Sequence, residues 1–336
     1  MAVQQARVQL GDVVRAVGDR RSCGGRLHQQ RKTSARGIEC AHAQRAQVCG
    51  RGGQGRIVQG SKIEHVTDPY AKAGDRIGSM QMIVIWIYGV QLMPVTQSLP
   101  RLICLPYAGG SWHAFAPWQA ALQGQLEVVA PELPGRGHRI AEAPFSRLPA
   151  LVDWLLDELD AQLADDFSLW GHSMGALLAY ETARTLERRG RRGPRHLFVT
   201  GALPPRYPRH AERYHLLDDD GLIAKLAAMG GTPEEVLRDR DLMQIVLPFV
   251  RADFAVCETY AWDSREPAVR APITAIGGDR DPDIAIDKLH GWNDCSRAGA
   301  RVSSLPGGHF FLRDHVAALA DVFTRTLARP ALREPA

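Results

Sequence analysis

The chain has 336 residues, of which 45% are hydrophobic and 23% charged, enough to bury a full core in one or two domains. Its net charge of +4 is unevenly spread: residues 1–92 carry 14 basic and 6 acidic side chains, a net of +8, which leaves −4 for the remainder and no nucleic-acid footprint there. The six cysteines show no C-x-x-C or Cys/His ligand spacing, which argues against a zinc site or a disulfide framework and suits a reducing compartment such as the cytoplasm.

Residues 1–80 are rich in Arg, Gly, Gln and Ala, as in GGRLHQQRKTSARG and CGRGGQGR. They hold too few large apolar side chains to offset the entropy of ordering. Arg/Gly runs can bind phosphates, but aromatic residues for base stacking are nearly absent before Trp86. The expectation is disorder, or a start codon placed too far upstream in a GC-rich gene, since 36 Arg stand against 5 Lys. The run MIVIWIYGVQLMPV (82–95) is shorter than the roughly 20 residues of a membrane span and lacks an A-x-A cleavage pattern. The expected division is an extension over 1–92 and one domain over 93–336.

From residue 100, strands and helices alternate. LICLPYA (102–108) is a short apolar run ending in Gly109-Gly110, a buried strand. A helix over about 112–122 follows, then a strand LEVVAPEL (126–133) closed by PGRG (134–137). Leu148, Leu151, Val152, Leu155, Leu156, Leu159 and Leu163 recur at helical spacing. FSLWGHS (167–173) is a strand running straight into a helix that Gly190 stops. HLFVTGAL (196–203), ITAIGG (273–278) and ARVSSLPG (300–307) continue the strands, and a last helix covers about 314–328. This order predicts an α/β fold with a mostly parallel, doubly wound sheet. Between Leu203 and Pro272 the alternation lapses into three short helical stretches, LLDDDGLIAKLAAMGG, TPEEVLRDRDLMQIVLPFV and RADFAVCETY. A helical lid over about 205–262, above the C-terminal ends of the strands, is expected.

The chemistry concentrates where strands end. Gly171-His172-Ser173-Met174-Gly175 matches G-x-S-x-G in the required strand–turn–helix setting, making Ser173 the candidate nucleophile. The helix from Met174 aims its free N–H groups at a developing oxyanion. The second oxyanion donor belongs to the loop after the first strand, Pro106-Tyr107-Ala108-Gly109-Gly110, with the N–H groups of Ala108 and Met174 as the expected pair. A serine hydroxyl needs a base, and His309, in Pro306-Gly307-Gly308-His309-Phe310 after the last strand, occupies the position the chain order Ser, acid, His requires. His315 falls in the final helix and His290 precedes the last strand. The acid belongs to the loop Gly277-Gly278-Asp279-Arg280-Asp281-Pro282-Asp283, where the residues alone leave three carboxylates open.

Taken together, LICLPYAGG, PELPGRG, WGHSMGALLAYE, LPPR, MGGTPEEVL, LPFVRADF, the GDRDP loop, Trp292 and GGHFFL resemble the type II thioesterases, stand-alone editing enzymes of non-ribosomal peptide and polyketide synthesis with an α/β-hydrolase fold. The resemblance spans about 100–328. It implies Asp281 as the acid, no cofactor and no metal. It also implies a substrate in which an acyl group is thioesterified to the phosphopantetheine arm of a carrier protein domain, the expected partner. Arg206, Arg209 and Arg213 near the lid are candidates for docking an acidic carrier. Two other readings share the fold: a lipase or esterase of small esters, and a non-catalytic binding protein, which would need none of the three placed side chains.

Overall fold

The computed structural model describes residues 99–207 and 213–328. The extension over 1–92, the apolar run at 82–95 and Arg209 lie outside the described residues. Among the described residues, six strands form one sheet in the order β2-β1-β3-β4-β5-β6: β1 (Arg101–Leu105), β2 (Glu127–Val129), β3 (Phe167–His172), β4 (Leu197–Thr200), β5 (Ile273–Gly278) and β6 (Ala300–Leu305). Every pairing is parallel, as the βα alternation predicts.

The inner strands read as continuous apolar runs because both sheet faces are covered. Successive side chains still alternate. In β1, Ile103 and Leu105 face one helical layer and Leu102 and Cys104 the other. The first layer contains α2 (Leu148–Glu158) and α3 (Met174–Arg188); the second contains α1 (Ala116–Ala121) and α8 (Val316–Leu327). In the second layer Trp118, Trp170, Phe198 and Phe323 pack ring on ring, with centroids 4.7 to 4.9 Å apart. The outer strands are weaker. β2 pairs over three residues only, shorter than the run 126–133 suggests, and edge strand β6 buries none of its residues fully.

The insertion between β4 and β5 carries α4 (Asp219–Met229), α5 (Glu234–Arg238) and α6 (Arg240–Glu258). Asp218 caps α4 by accepting the Gly221 N–H at 2.8 Å, and Asp239 caps α6 through the Leu242 N–H at 3.0 Å. Three short stretches are expected here, the last two divided between Val250 and Arg251. Instead one 19-residue helix runs across that division, with Pro248 inside it. Proline inside a helix removes one backbone bond and costs about 3 kcal/mol. The apolar stripe Met243, Leu247, Val250 and Phe254 continues across it, buried with Leu222 and Leu226, and this packing outweighs the break. α7 (Ile286–Leu289) and the 3-10 turn His290–Cys295 have no periodicity long enough to be predicted. No helix among the described residues is long and apolar enough to cross a membrane.

Strand order fixes where a site can form. The chain leaves β1 toward β2, then returns to place β3 on the other side of β1. Loops after β1 and β3 therefore diverge to opposite faces, opening a crevice at the carboxyl ends of these strands.

Candidate active site

Ser173 sits at the end of β3, in the turn into α3, with φ +55° and ψ −114°. It is the one non-glycine residue with positive φ among the described residues, a strained conformation that costs of order 1–3 kcal/mol. The flanking glycines let this turn exist. A Cβ on Gly171 would lie 1.9 Å from the Gly175 carbonyl oxygen, and one on Gly175 would lie 2.0 Å from that of Leu105. Backbone cannot yield at such distances, so α3 begins hard against β1 and β3.

His309 follows β6 and Asp281 follows β5. The structure brings both to Ser173: His309 Nε2 lies 3.0 Å from Ser173 Oγ, and His309 Nδ1 lies 2.7 Å from Asp281 Oδ2. The Asp281 carboxylate is fully buried and the imidazole nearly so. Asp281 Oδ1 also accepts the Asp283 N–H at 3.0 Å. Asp279 does different work, its Oδ1 accepting the Gly307 N–H at 2.8 Å. Asp283 is exposed. His315, expected within the last helix, sits just before it and bonds the Pro306 carbonyl at 2.7 Å.

The turn after β1 is closed by the Gly110 N–H donating to the Tyr107 carbonyl at 2.8 Å, with Gly109 at φ +79°. The Gly109 N–H is held by Asp253 Oδ2, also at 2.8 Å. These bonds leave the Ala108 N–H outside the turn's own pairing. Met174 is the first residue of α3, so its N–H has no partner inside the helix.

Two buried groups near the site went unread in the sequence. His172 packs against Tyr107, His309, Phe310 and Phe311. The Thr200 hydroxyl donates to the Gly171 carbonyl at 3.2 Å and accepts the Trp170 indole N–H at 3.1 Å. Its remaining lone pair then takes His172 Nδ1–H at 3.0 Å. Burial, with the charges of His309 and Arg313 adding to it, pushes the His172 pKa well below the ordinary histidine value. The second group is the pair Arg136–Asp253, joined by Nη1–Oδ2 and Nη2–Oδ1 contacts of 2.7 and 2.8 Å. Both residues lie in quoted motifs, PGRG and RADF. They are 117 positions apart, and no local pattern links them.

Glu132, also in PELPGRG, is buried near Arg136. Burial pushes its carboxyl up to about 7, against the opposing pull of the Arg136 and Arg139 guanidinium groups. A pKa raised on folding supplies stability below the unfolded value near 4.5 that is lost as pH rises through the folded value. Glu132→Gln is therefore expected to match the parent's thermal stability below pH 4.5 and exceed it above pH 7, by on the order of 1–3 kcal/mol. Unfolding midpoints measured from pH 4 to 9 check this; parallel curves for the two proteins would refute it.

Of the candidate docking arginines, Arg206 pairs with Asp294 and lies over the Tyr207 ring, while Arg213 is exposed. Arg206 is thus already neutralised by a solvated partner.

A strand–turn–helix serine at the crevice of a parallel sheet, with a histidine after the last strand, defines the α/β-hydrolase fold. Residues 100–327 match the family model described as Thioesterase domain. The chain belongs to the thioesterase family. It is 41% identical over 212 residues to the gramicidin S biosynthesis protein GrsT of Aneurinibacillus migulanus, covering 63% of this chain and 82% of that protein. Among solved structures, the RedJ thioesterase of the prodiginine pathway in Streptomyces coelicolor superposes with a TM-score of 0.63 at 38% identity, over 67% of this chain and 91% of RedJ. The type II thioesterase BorB of the borrelidin cluster superposes with a TM-score of 0.64 at 36% identity, over 70% of this chain and 95% of BorB.

Proposed function

We propose that this chain is an editing type II thioesterase, hydrolysing acyl groups held as thioesters on the phosphopantetheine arm of carrier domains in peptide or polyketide synthesis. The observation that carries the proposal is the hydrogen-bonded row Ser173–His309–Asp281 at the sheet crevice of a thioesterase-family chain. The relatives' biosynthetic settings supply the substrate class.

In this reading Ser173 Oγ attacks the thioester carbonyl while His309 Nε2 takes its proton. Asp281, holding Nδ1–H, keeps the free lone pair on Nε2 and stabilises the imidazolium. The N–H groups of Ala108 and Met174 receive the tetrahedral oxyanion, helped by the positive end of α3. Collapse breaks the C–S bond; the thiol leaves with the proton from His309, and the acyl group stays on Ser173. Water, deprotonated by His309, then releases the acid. The helical insertion over about 205–262 acts as the lid, and residues 93–336 make up the hydrolase domain.

The test compares one acyl group on three carriers: a phosphopantetheinyl carrier protein, free coenzyme A and an oxygen ester. The carrier-bound thioester is expected to show the highest kcat/KM. Faster turnover of the oxygen ester, with none of the carrier substrate, would make the chain an esterase.

A further inference from the structure

The Arg136–Asp253 pair is buried on both sides, with side chains 4% and 2% exposed, and it does more than neutralise itself. Asp253 Oδ2 accepts from both Arg136 Nη1 and the Gly109 N–H, and Arg136 Nη1 also donates to the Gly110 carbonyl at 2.9 Å. The two residues that follow Ala108 are thus gripped at one N–H and one C=O by ionised partners, the stronger kind of hydrogen bond. Arg136 comes from the loop after β2, and its guanidinium lies 4.8 Å over the ring of Phe249. Asp253 and Phe249 both belong to α6. A Cβ on Gly109 would lie 3.1 Å from Val250 Cγ2, so the helix also packs directly on the turn.

A buried ion pair is a poor choice where burial alone is at stake, since a well-packed apolar pair of similar volume is often as stable or more so. What an apolar pair cannot do is fix the orientation of peptide groups. We infer that Arg136 and Asp253 are positioning residues for the oxyanion turn, holding the Ala108 N–H in place and tying it to α6, so that transition-state stabilisation depends on where the lid helix lies. This rests on the reading of Ala108 as an oxyanion donor.

The test uses the full chain with both charges removed together, Arg136→Met with Asp253→Leu, so that neither ion is left buried alone. Active sites are counted by end-point fluorophosphonate titration of Ser173, which normalises for folding. The double variant is expected to titrate and unfold like the parent, yet to lose about 10²-fold in kcat per titrated site with little change in KM. Its affinity for a trifluoromethyl ketone, which is captured as a tetrahedral oxyanion, is expected to fall by the same factor as kcat/KM. Arg136→Lys, which keeps a cation, is expected to recover part of both.

Parent kcat per site in a stable double variant overturns the inference. So does a loss of kcat with unchanged ketone affinity, which would put the defect outside the oxyanion turn. If the double variant does not fold, Asp253→Ala, which removes the acceptor of the Gly109 N–H, carries the same readouts, and parent values in it are equally decisive against the inference. A parent protein that is not labelled, or does not hydrolyse thioesters, would instead refute the proposed function.

Discussion

Ser173→Ala is expected to lower thioester turnover by roughly 10⁶-fold, the scale seen when a serine nucleophile is removed from such a row. The proposed oxyanion donors and the binding surfaces remain, so a small residual rate over water is expected to survive. The variant should fold as the parent does. Alanine keeps the Cβ that serine already carries at φ +55°, and the lost hydroxyl makes its one side-chain bond to His309 Nε2. Stopped-flow or steady-state thiol release, with thermal unfolding as the control, separates chemistry from folding. Turnover within tenfold of the parent, in a folded variant, would remove Ser173 from the reaction.

Asp281→Asn is expected to cost about 10⁴ in kcat through the wrong tautomer rather than through lost packing. Asp281 uses both carboxylate oxygens: Oδ1 accepts the Asp283 N–H and Oδ2 faces His309 Nδ1. An asparagine keeps the first bond by placing its carbonyl there, which points its amide N–H₂ at Nδ1. That nitrogen must then accept, so the ring proton moves to Nε2, where it can no longer take the proton of Ser173. Asp279→Asn is the matched control. Its carbonyl can still accept the Gly307 N–H, and turnover within a fewfold of the parent is expected. Equal losses in the two variants, measured as kcat on the same thioester, would refute the assignment.

What could be read from the sequence was whatever is local. β1, β3, β4 and β5 announce themselves as apolar runs bounded by turns, and G-x-S-x-G binds a strand end to a helix start within five residues. The candidate base, His309, follows from chain order after the last strand. The candidate acid does not, because Gly278-Asp279-Arg280-Asp281-Pro282-Asp283 offers three carboxylates of the same chemistry. Only their hydrogen bonds distinguish them: Asp279 to backbone, Asp281 to the imidazole, Asp283 to solvent. The break expected after Val250 fails for the opposite reason, since an apolar face that continues on both sides of it carries one helix across, Pro248 included. The Arg136–Asp253 contact had no local trace at all, because it is a product of topology.

The loops after β5 and β6 are stitched together before any substrate arrives. Arg280 N–H bonds the Gly307 carbonyl at 2.8 Å, Asp279 N–H bonds the Leu305 carbonyl at 2.9 Å, and a Cβ on Gly278 would strike the carbonyl oxygen of Gly308 at 2.4 Å. Imidazole and carboxylate therefore ride on one inflexible bracket, whereas the opposite wall of the crevice leans on the inserted helices. Under the proposed function, descendants of this scaffold could reshape that wall to admit bulkier or smaller acyl chains while the side carrying His309 and Asp281 kept its alignment untouched.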